Sequence, residues 1–132
     1  MADQGVEWLE SIFFVALGGS VGSVTRYLVS VWAAGRLGTD FPFGTLIVNI
    51  VGCYIIGLFM ILATEKLLLP NYWRLLVASG FLGGLTTFSS FSYETLMLVQ
   101  EGAWTPAFIN LAANLATGLV ATWAGMVTAR II

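Results

Sequence analysis

Charge is what this 132-residue sequence has least of: Asp, Glu, Lys and Arg together make up 9% of it. A soluble domain carries roughly 25%, because its surface must face water. The net charge of −2 offers no basic patch for nucleic acid. Histidine is absent, and the one cysteine, Cys53, lies in a strongly apolar stretch. Together these absences remove zinc sites, thiol redox pairs, Ser-His triads and intrachain disulfides. Cys53 itself reads as a small hydrophobe on a buried helix. No nucleotide motif, clustered carboxylates or nucleophile–base pair is present, so neither an enzyme nor an energised pump is indicated.

What fills the chain instead is apolar. Hydrophobic residues make up 58% and the mean hydropathy is +0.92, so the solvent for most of the surface is a lipid bilayer. A spanning helix needs about 20 apolar residues at about 1.5 Å rise each. Ile12 to Ala34 supplies one, broken only by Arg26, and Gly44 to Thr64 a second, between Pro42 and Glu65-Lys66. Pro70 to Leu98 supplies a third and Pro106 to Ala129 a fourth. The connections are short, so residues 1–132 read as one all-α, four-helix transmembrane domain with both termini on one side. That side holds Lys66, Arg74 and Arg130, and the other holds Arg36 with Arg26 near it. So little bias leaves orientation weakly specified. Insertion both ways round, and hence an antiparallel homodimer, is the expectation. Trp8, Trp32, Tyr72, Trp73 and Trp104 fall near the expected membrane surfaces and read as interfacial anchors.

Small residues recur at close-packing spacing: Gly18 and Gly22, Gly19 and Ser23, Gly80 and Gly84. Such pairs let helix backbones approach in lipid, where apolar side chains gain little by leaving the acyl chains for each other. They serve equally for packing within one chain or for a subunit interface.

The segment that stands out is Gly80-Phe81-Leu82-Gly83-Gly84-Leu85-Thr86-Thr87-Phe88-Ser89-Ser90-Phe91-Ser92. Three glycines precede five hydroxyl residues within seven positions. Glycine lowers helix stability by roughly 1 kcal/mol relative to alanine, and Ser and Thr offer competing local hydrogen bonds. The third helix is therefore expected to be interrupted near mid-membrane over Gly80 to Phe91. Freed backbone groups at that depth need protein, water or an ion as partners, which is why broken helices mark ion and substrate sites. The alternative is a glycine packing notch with hydroxyls bonded back to their own helix.

Phe88 and Phe91 are three apart and share a helix face. Their positive ring edges can line a path for a small anion, or the rings simply pack. Thr45 and Asn49 share a face of the second helix, and Asn110 and Asn114 a face of the fourth. They form either interhelical hydrogen bonds or a polar track. Arg26, roughly 21 Å along its helix from Ile12, either snorkels to the interface or sets a positive charge in a vestibule. Glu94 follows the break by two turns.

These residues together resemble the CrcB/Fluc fluoride channels. The likeness covers nearly the whole chain: Gly18-Gly19 and Arg26 in the first helix, Phe43-Gly44-Thr45-Leu46 with Asn49 and Gly52 in the second. It is most specific over Gly80 through Glu94. The resemblance implies an antiparallel homodimer in a bacterial cytoplasmic (inner) membrane, exporting fluoride passively through two pores and so lowering cytoplasmic fluoride. It implies a central structural sodium ion held by the backbone carbonyls of Gly83 and Thr86, and an aromatic box of Phe88 and Phe91. The pore asparagine maps to Asn49 and the hydroxyl track to Ser89, Ser90 and Ser92, with Thr45 and Glu94 near one end. The vestibule arginine maps to Arg26. The family often carries Tyr or Ser along the pore-facing stripe of its fourth helix. This chain has Asn110 and Asn114 there, each with a donor and an acceptor for an anion.

Two other classes compete. A small proton-coupled exporter of lipophilic cations needs a carboxylate deep in the membrane, and Glu94 is the only acid inside the third span. A structural subunit without transport explains the glycine pairs but leaves the hydroxyl-rich segment and both phenylalanines without a role.

Overall fold

A computed structural model describes residues 2–132, with side chains described from Glu7 onward. Every regular element in it is helical, and four segments are long and apolar enough to cross a membrane: Glu7–Leu37, Phe43–Lys66, Asn71–Gln100 and Trp104–Ile131. Helix α1 is Ala2–Leu37 and α2 is Phe43–Ile61, which runs on as a π-helical turn, Leu62–Lys66. Helix α3 begins as Asn71–Arg74, widens into a π-helix over Leu75–Leu82 and ends in the turn Gly83–Leu85. Helix α4 is Phe88–Gln100 and α5 is Trp104–Ile131. The third span is thus α3 followed by α4, and the fourth is α5. Gly38 and Gly102 follow α1 and α4 with φ of 86° and 77°, the left-handed conformation that ends a helix at no steric cost to glycine.

Two pairings organise the bundle: α2 lies along α5, and α1 lies along α3. Both rest on glycine. A Cβ on Gly18 would fall on the Leu76 carbonyl and one on Gly22 on the Phe81 carbonyl, while a Cβ on Gly84 would sit 2.6 Å from the Gly19 oxygen. A Cβ on Gly80 would lie 3.0 Å from the Gly18 Cα. The Gly18/Gly22 and Gly80/Gly84 spacings therefore face each other within one chain, backbone against backbone. On the other side Gly57 meets the Thr122 carbonyl, and Gly125 meets that of Tyr54.

This contact also corrects one expectation. The interruption does not extend over Gly80 to Phe91: Gly80, Gly83 and Gly84 remain helical, and so do Phe88 through Phe91. Gly80 and Gly84 serve approach to α1 rather than helix breaking, and only Thr86 and Thr87 leave the helical region. A continuous core of Val48, Leu82 and Leu85, flanked by Val29, Ile55 and Phe81, lies just before those two residues.

The outer surface is apolar, as a lipid-facing surface must be. Trp8, Trp32, Tyr72, Trp73 and Trp104 are all exposed, consistent with anchoring. At one end of the bundle an Arg130 guanidinium nitrogen lies 3.4 Å from a Glu65 carboxylate oxygen, and Lys66 donates to the Arg130 carbonyl at 3.2 Å. These contacts tie the end of the second span to the end of the fourth.

Candidate functional site

The site grows from Thr86 and Thr87. Both are extended, with φ/ψ of −83°/153° and −151°/121°. Extended backbone inside a helical bundle loses its ladder partners, and buried peptide groups require replacements. For Thr87 they come from one side chain. The Thr87 N–H donates to Asn49 Oδ1 at 2.8 Å, and Asn49 Nδ2 donates to the Thr87 carbonyl at 3.1 Å. The carboxamide stands in for a peptide unit and pairs with Thr87 as a neighbouring strand would. Room for this comes from Gly52 on α2, where a Cβ would overlap the Thr86 methyl.

Thr87 also starts α4. Its Oγ1 accepts from the Ser90 N–H at 3.1 Å, donates to Ser90 Oγ at 3.1 Å, and lies 3.3 Å from Ser89 Oγ. An N-cap of this kind stabilises a helix by about 1 kcal/mol. In an unbroken helix the Thr87 N–H would bond the Gly83 carbonyl, and the Ser90 N–H would bond that of Thr86. Both donors are committed elsewhere, to Asn49 and to the Thr87 hydroxyl. The carbonyls of Gly83 and Thr86 are left without their ladder donors, as are those of Gly84 and Leu85, and the Phe88 and Ser89 N–H groups have no backbone acceptor.

From Asn49 a chain of amides crosses to α5. Asn49 Nδ2 donates to Asn114 Oδ1 at 2.9 Å, and Asn114 Nδ2 donates to the Asn110 carbonyl and Oδ1 at 3.0 and 2.9 Å. Asn110, fully buried at 0% exposure, donates to Thr95 Oγ1 at 2.9 Å. Thr95 in turn donates to the Phe91 carbonyl at 2.7 Å. The two phenylalanines meet edge to face, ring centres 5.3 Å apart at 67°. Phe91 is buried at 4% exposure and Phe88 open at 73%. A cavity of about 360 Å³ beside them is lined by Asn49, Gly83, Thr86, Phe88, Phe91 and Asn114, among others.

Thr45 and Glu94 lie apart from that cavity. Thr45 donates to Glu94 Oε1 at 2.7 Å, and both line a second cavity of about 310 Å³ with Ser30, Asp40 and Glu101. Glu94 Oε2 is buried and has no hydrogen-bond partner among the described residues. Ser89 is exposed, and Ser90 and Ser92 are half-buried on the same helix. Arg26 does not join the group. It is half-buried on α1, one turn after Gly22 and one turn before Ser30, so it shares their helix face and stands a turn from the second cavity. The described residues contain no group of three or more His, Cys, Asp or Glu arranged to hold a metal ion.

Two residues of this constellation escape the sequence argument. Thr87 carries the N-cap signal of a hydroxyl residue directly before a helical run, legible once the helix start is placed at Phe88. Thr95 is one turn beyond Phe91 and extends the hydroxyl stripe, but its partner Asn110 is on another helix.

The family described as CrcB-like protein, Camphor Resistance (CrcB), matches residues 13–126. The protein named Fluoride-specific ion channel FluC from Sulfurihydrogenibium sp. is 47% identical over 124 residues, 94% of this chain and 100% of that protein. The one of the same name from Acidobacterium capsulatum is 46% identical over 114 residues, 86% of this chain and 91% of the other. That from Shewanella woodyi is 50% identical over 107 residues, 81% and 86% respectively. Matched over most of its length by the family pattern and nearly end to end by such relatives, the chain belongs to the CrcB-like family.

Proposed function

We propose that this chain is a fluoride-selective ion channel of a bacterial cytoplasmic membrane, which lets fluoride leave the cell passively and so lowers its cytoplasmic concentration. The observation that carries the reading is the arrangement at Thr86–Thr87. A helix lapse held open by Asn49 is flanked by an edge-to-face phenylalanine pair on one side and released carbonyls, those of Gly83 and Thr86 among them, on the other. Its relatives' name supplies the ion.

The chemistry suits fluoride. A small, strongly hydrated anion enters a narrow path only where donors replace its water step by step. Hydroxyls of Ser89, Ser90 and Ser92 and the positive ring edges of Phe88 and Phe91 can do this without a buried cation that would trap the ion. Thr45 and Glu94 stand at one end of the track, and Arg26 places a positive charge one turn from the mouth, raising local anion concentration while the constriction stays neutral. With the lapse near mid-membrane, the donors are spread across the interior, and the gradient alone drives flow.

The carbonyls of Gly83 and Thr86 fit a structural sodium ion. They are hard oxygen ligands, each lacks the helix donor it would otherwise accept from, and Gly83 is exposed. Two oxygens from one chain are too few for a cation shell, and a second copy in antiparallel orientation would supply two more at the centre of a homodimer. Weak orientation bias and the exposed apolar flank at Phe88 support that assembly, with one pore on each side of the ion.

The deciding experiment is fluoride efflux from liposomes that hold the purified protein, with chloride as control. Fluoride efflux with little chloride efflux is expected. Well-folded protein that passes neither ion, or both equally, would overturn the reading.

A further inference from the structure

We propose that Asn114, Asn110 and Thr95 are positioning residues for the break, forming a one-way amide ladder that holds Thr87 and Phe91 in register, and that they do not bind the permeating anion. The inference rests on the fluoride-channel reading for its flux measurement only.

The hydrogen inventory carries it. A carboxamide has two N–H donors. Asn49 spends both, one on the Thr87 carbonyl and one on Asn114 Oδ1. Asn114 spends both on Asn110. Neither has a donor left for an anion. Asn110 is wholly enclosed, and neither it nor Thr95 lines the cavity beside the phenylalanines or the one at Glu94. Every link points one way: Asn49 to Asn114, Asn114 to Asn110, Asn110 to Thr95, Thr95 to the Phe91 carbonyl. Direction matters, because turning any one amide would set donor against donor. The ladder therefore selects the Asn49 orientation in which its oxygen meets the Thr87 N–H and its nitrogen the Thr87 carbonyl. Its two ends lie on the two sides of the phenyl pair, Thr87 just before Phe88 and the Phe91 carbonyl just after, so the fourth span clamps the segment that carries both rings. A residue that touched the ion would instead need a free donor facing a cavity.

The test compares wild type with Asn114→Leu, Thr95→Val and Asn49→Ala, and with the double variant Asn49→Ala/Asn114→Leu, in dimer-forming preparations. Two readouts are used: fluoride efflux from liposomes, and amide hydrogen exchange of peptides spanning residues 86–91. Asn114→Leu is expected to speed exchange of that segment at least tenfold and to slow fluoride efflux at least tenfold. Added to Asn49→Ala it should cost less than a further twofold, since both cut one chain. Thr95→Val, a near-isosteric change outside both cavities, should speed exchange and slow efflux at least threefold, and it keeps the question decidable if Asn114→Leu does not fold. Unchanged exchange in both Asn114→Leu and Thr95→Val, or fully additive flux losses in the double, would overturn the ladder. Wild-type protein without fluoride flux would sink the channel reading and leave the exchange measurement to decide the ladder by itself.

Discussion

Replacing Gly22 by alanine tests whether the glycine spacing serves packing within the chain. The built Cβ falls on the Phe81 carbonyl and lies 2.9 Å from the Leu85 backbone nitrogen. Both obstacles are backbone, so no side chain can rotate away, and α1 must shift from α3. Overpacking of this kind costs about 1–3 kcal/mol, offset by up to about 1 kcal/mol of helix propensity that alanine gains over glycine. The net expectation is a loss of about 1–2 kcal/mol. Two controls sharpen it. Gly35→Ala meets nothing within 4 Å, and Gly118→Ala, although buried, meets only the Cys53 sulfur at 3.5 Å, an ordinary contact. Both should be neutral or stabilising by up to about 1 kcal/mol. Reversible unfolding in mixed micelles, followed by tryptophan fluorescence, reads all three. Because the contact lies within one chain, the Gly22→Ala loss should not depend on protein concentration. Gly22→Ala as stable as wild type, or a loss that vanishes as the protein is concentrated, would refute the reasoning and return these glycines to a subunit interface.

Phe88→Ile and Phe91→Ile should each depress fluoride efflux far more than dimer yield, and intact flux in both would remove the rings from the path. Their stabilities should part company, since truncating buried Phe91 to alanine costs about 3–5 kcal/mol while exposed Phe88 makes few contacts in the protomer. Replacing sodium on both sides of the membrane by a bulky organic cation should abolish flux if the Gly83 and Thr86 carbonyls hold that ion; undiminished flux would exclude it. Thr45→Val removes the 2.7 Å bond to Glu94 and leaves both of that carboxyl group's oxygens without a partner. Efflux should fall several-fold, and an unchanged rate in folded protein would place the pair outside the route.

Much of the fold was legible because lipid imposes a simple rule: enough apolar residues in a row make a span, and all four were placed within a few residues of their ends. Legibility failed where one residue type serves two ends. Gly80, Gly83 and Gly84 look like helix breakers when propensity in water is the guide. In the bundle Gly80 and Gly84 instead remove side chains between α1 and α3, and both stay helical, Gly80 in the π-helix Leu75–Leu82 and Gly84 in the turn that follows it. Pattern in one strand of sequence does not show which backbone lies opposite. The same holds for the amides. Asn110 and Asn114 stood out by their spacing, but that Asn114 meets Asn49, 65 residues away, depends on α2 lying along α5. That pairing is set by Gly57 and Gly125, whose place at a helix crossing nothing local announces.

The brevity of the interruption follows from these partners taken together. A helix that lapses for two residues in a bilayer exposes peptide groups with no water to receive them, and each buried orphan costs about 1–3 kcal/mol. Asn49 satisfies both groups of Thr87, and the Thr87 hydroxyl restarts the helix three residues on. What remains without a ladder partner is the run of carbonyls from Gly83 to Thr86, together with the N–H groups of Phe88 and Ser89. The released carbonyls before the lapse suit a cation, while the first-turn N–H groups, hydroxyls and ring edges just beyond it suit an anion. On the proposed reading, two ions of opposite charge are served within a few residues without contending for one set of ligands, carbonyls taking the cation and side chains the anion. The separation depends on Asn49 holding Thr87 extended. If Thr87 returned to the helix, the Gly83 carbonyl would recover its donor and the N-cap that starts α4 would be lost at the same time.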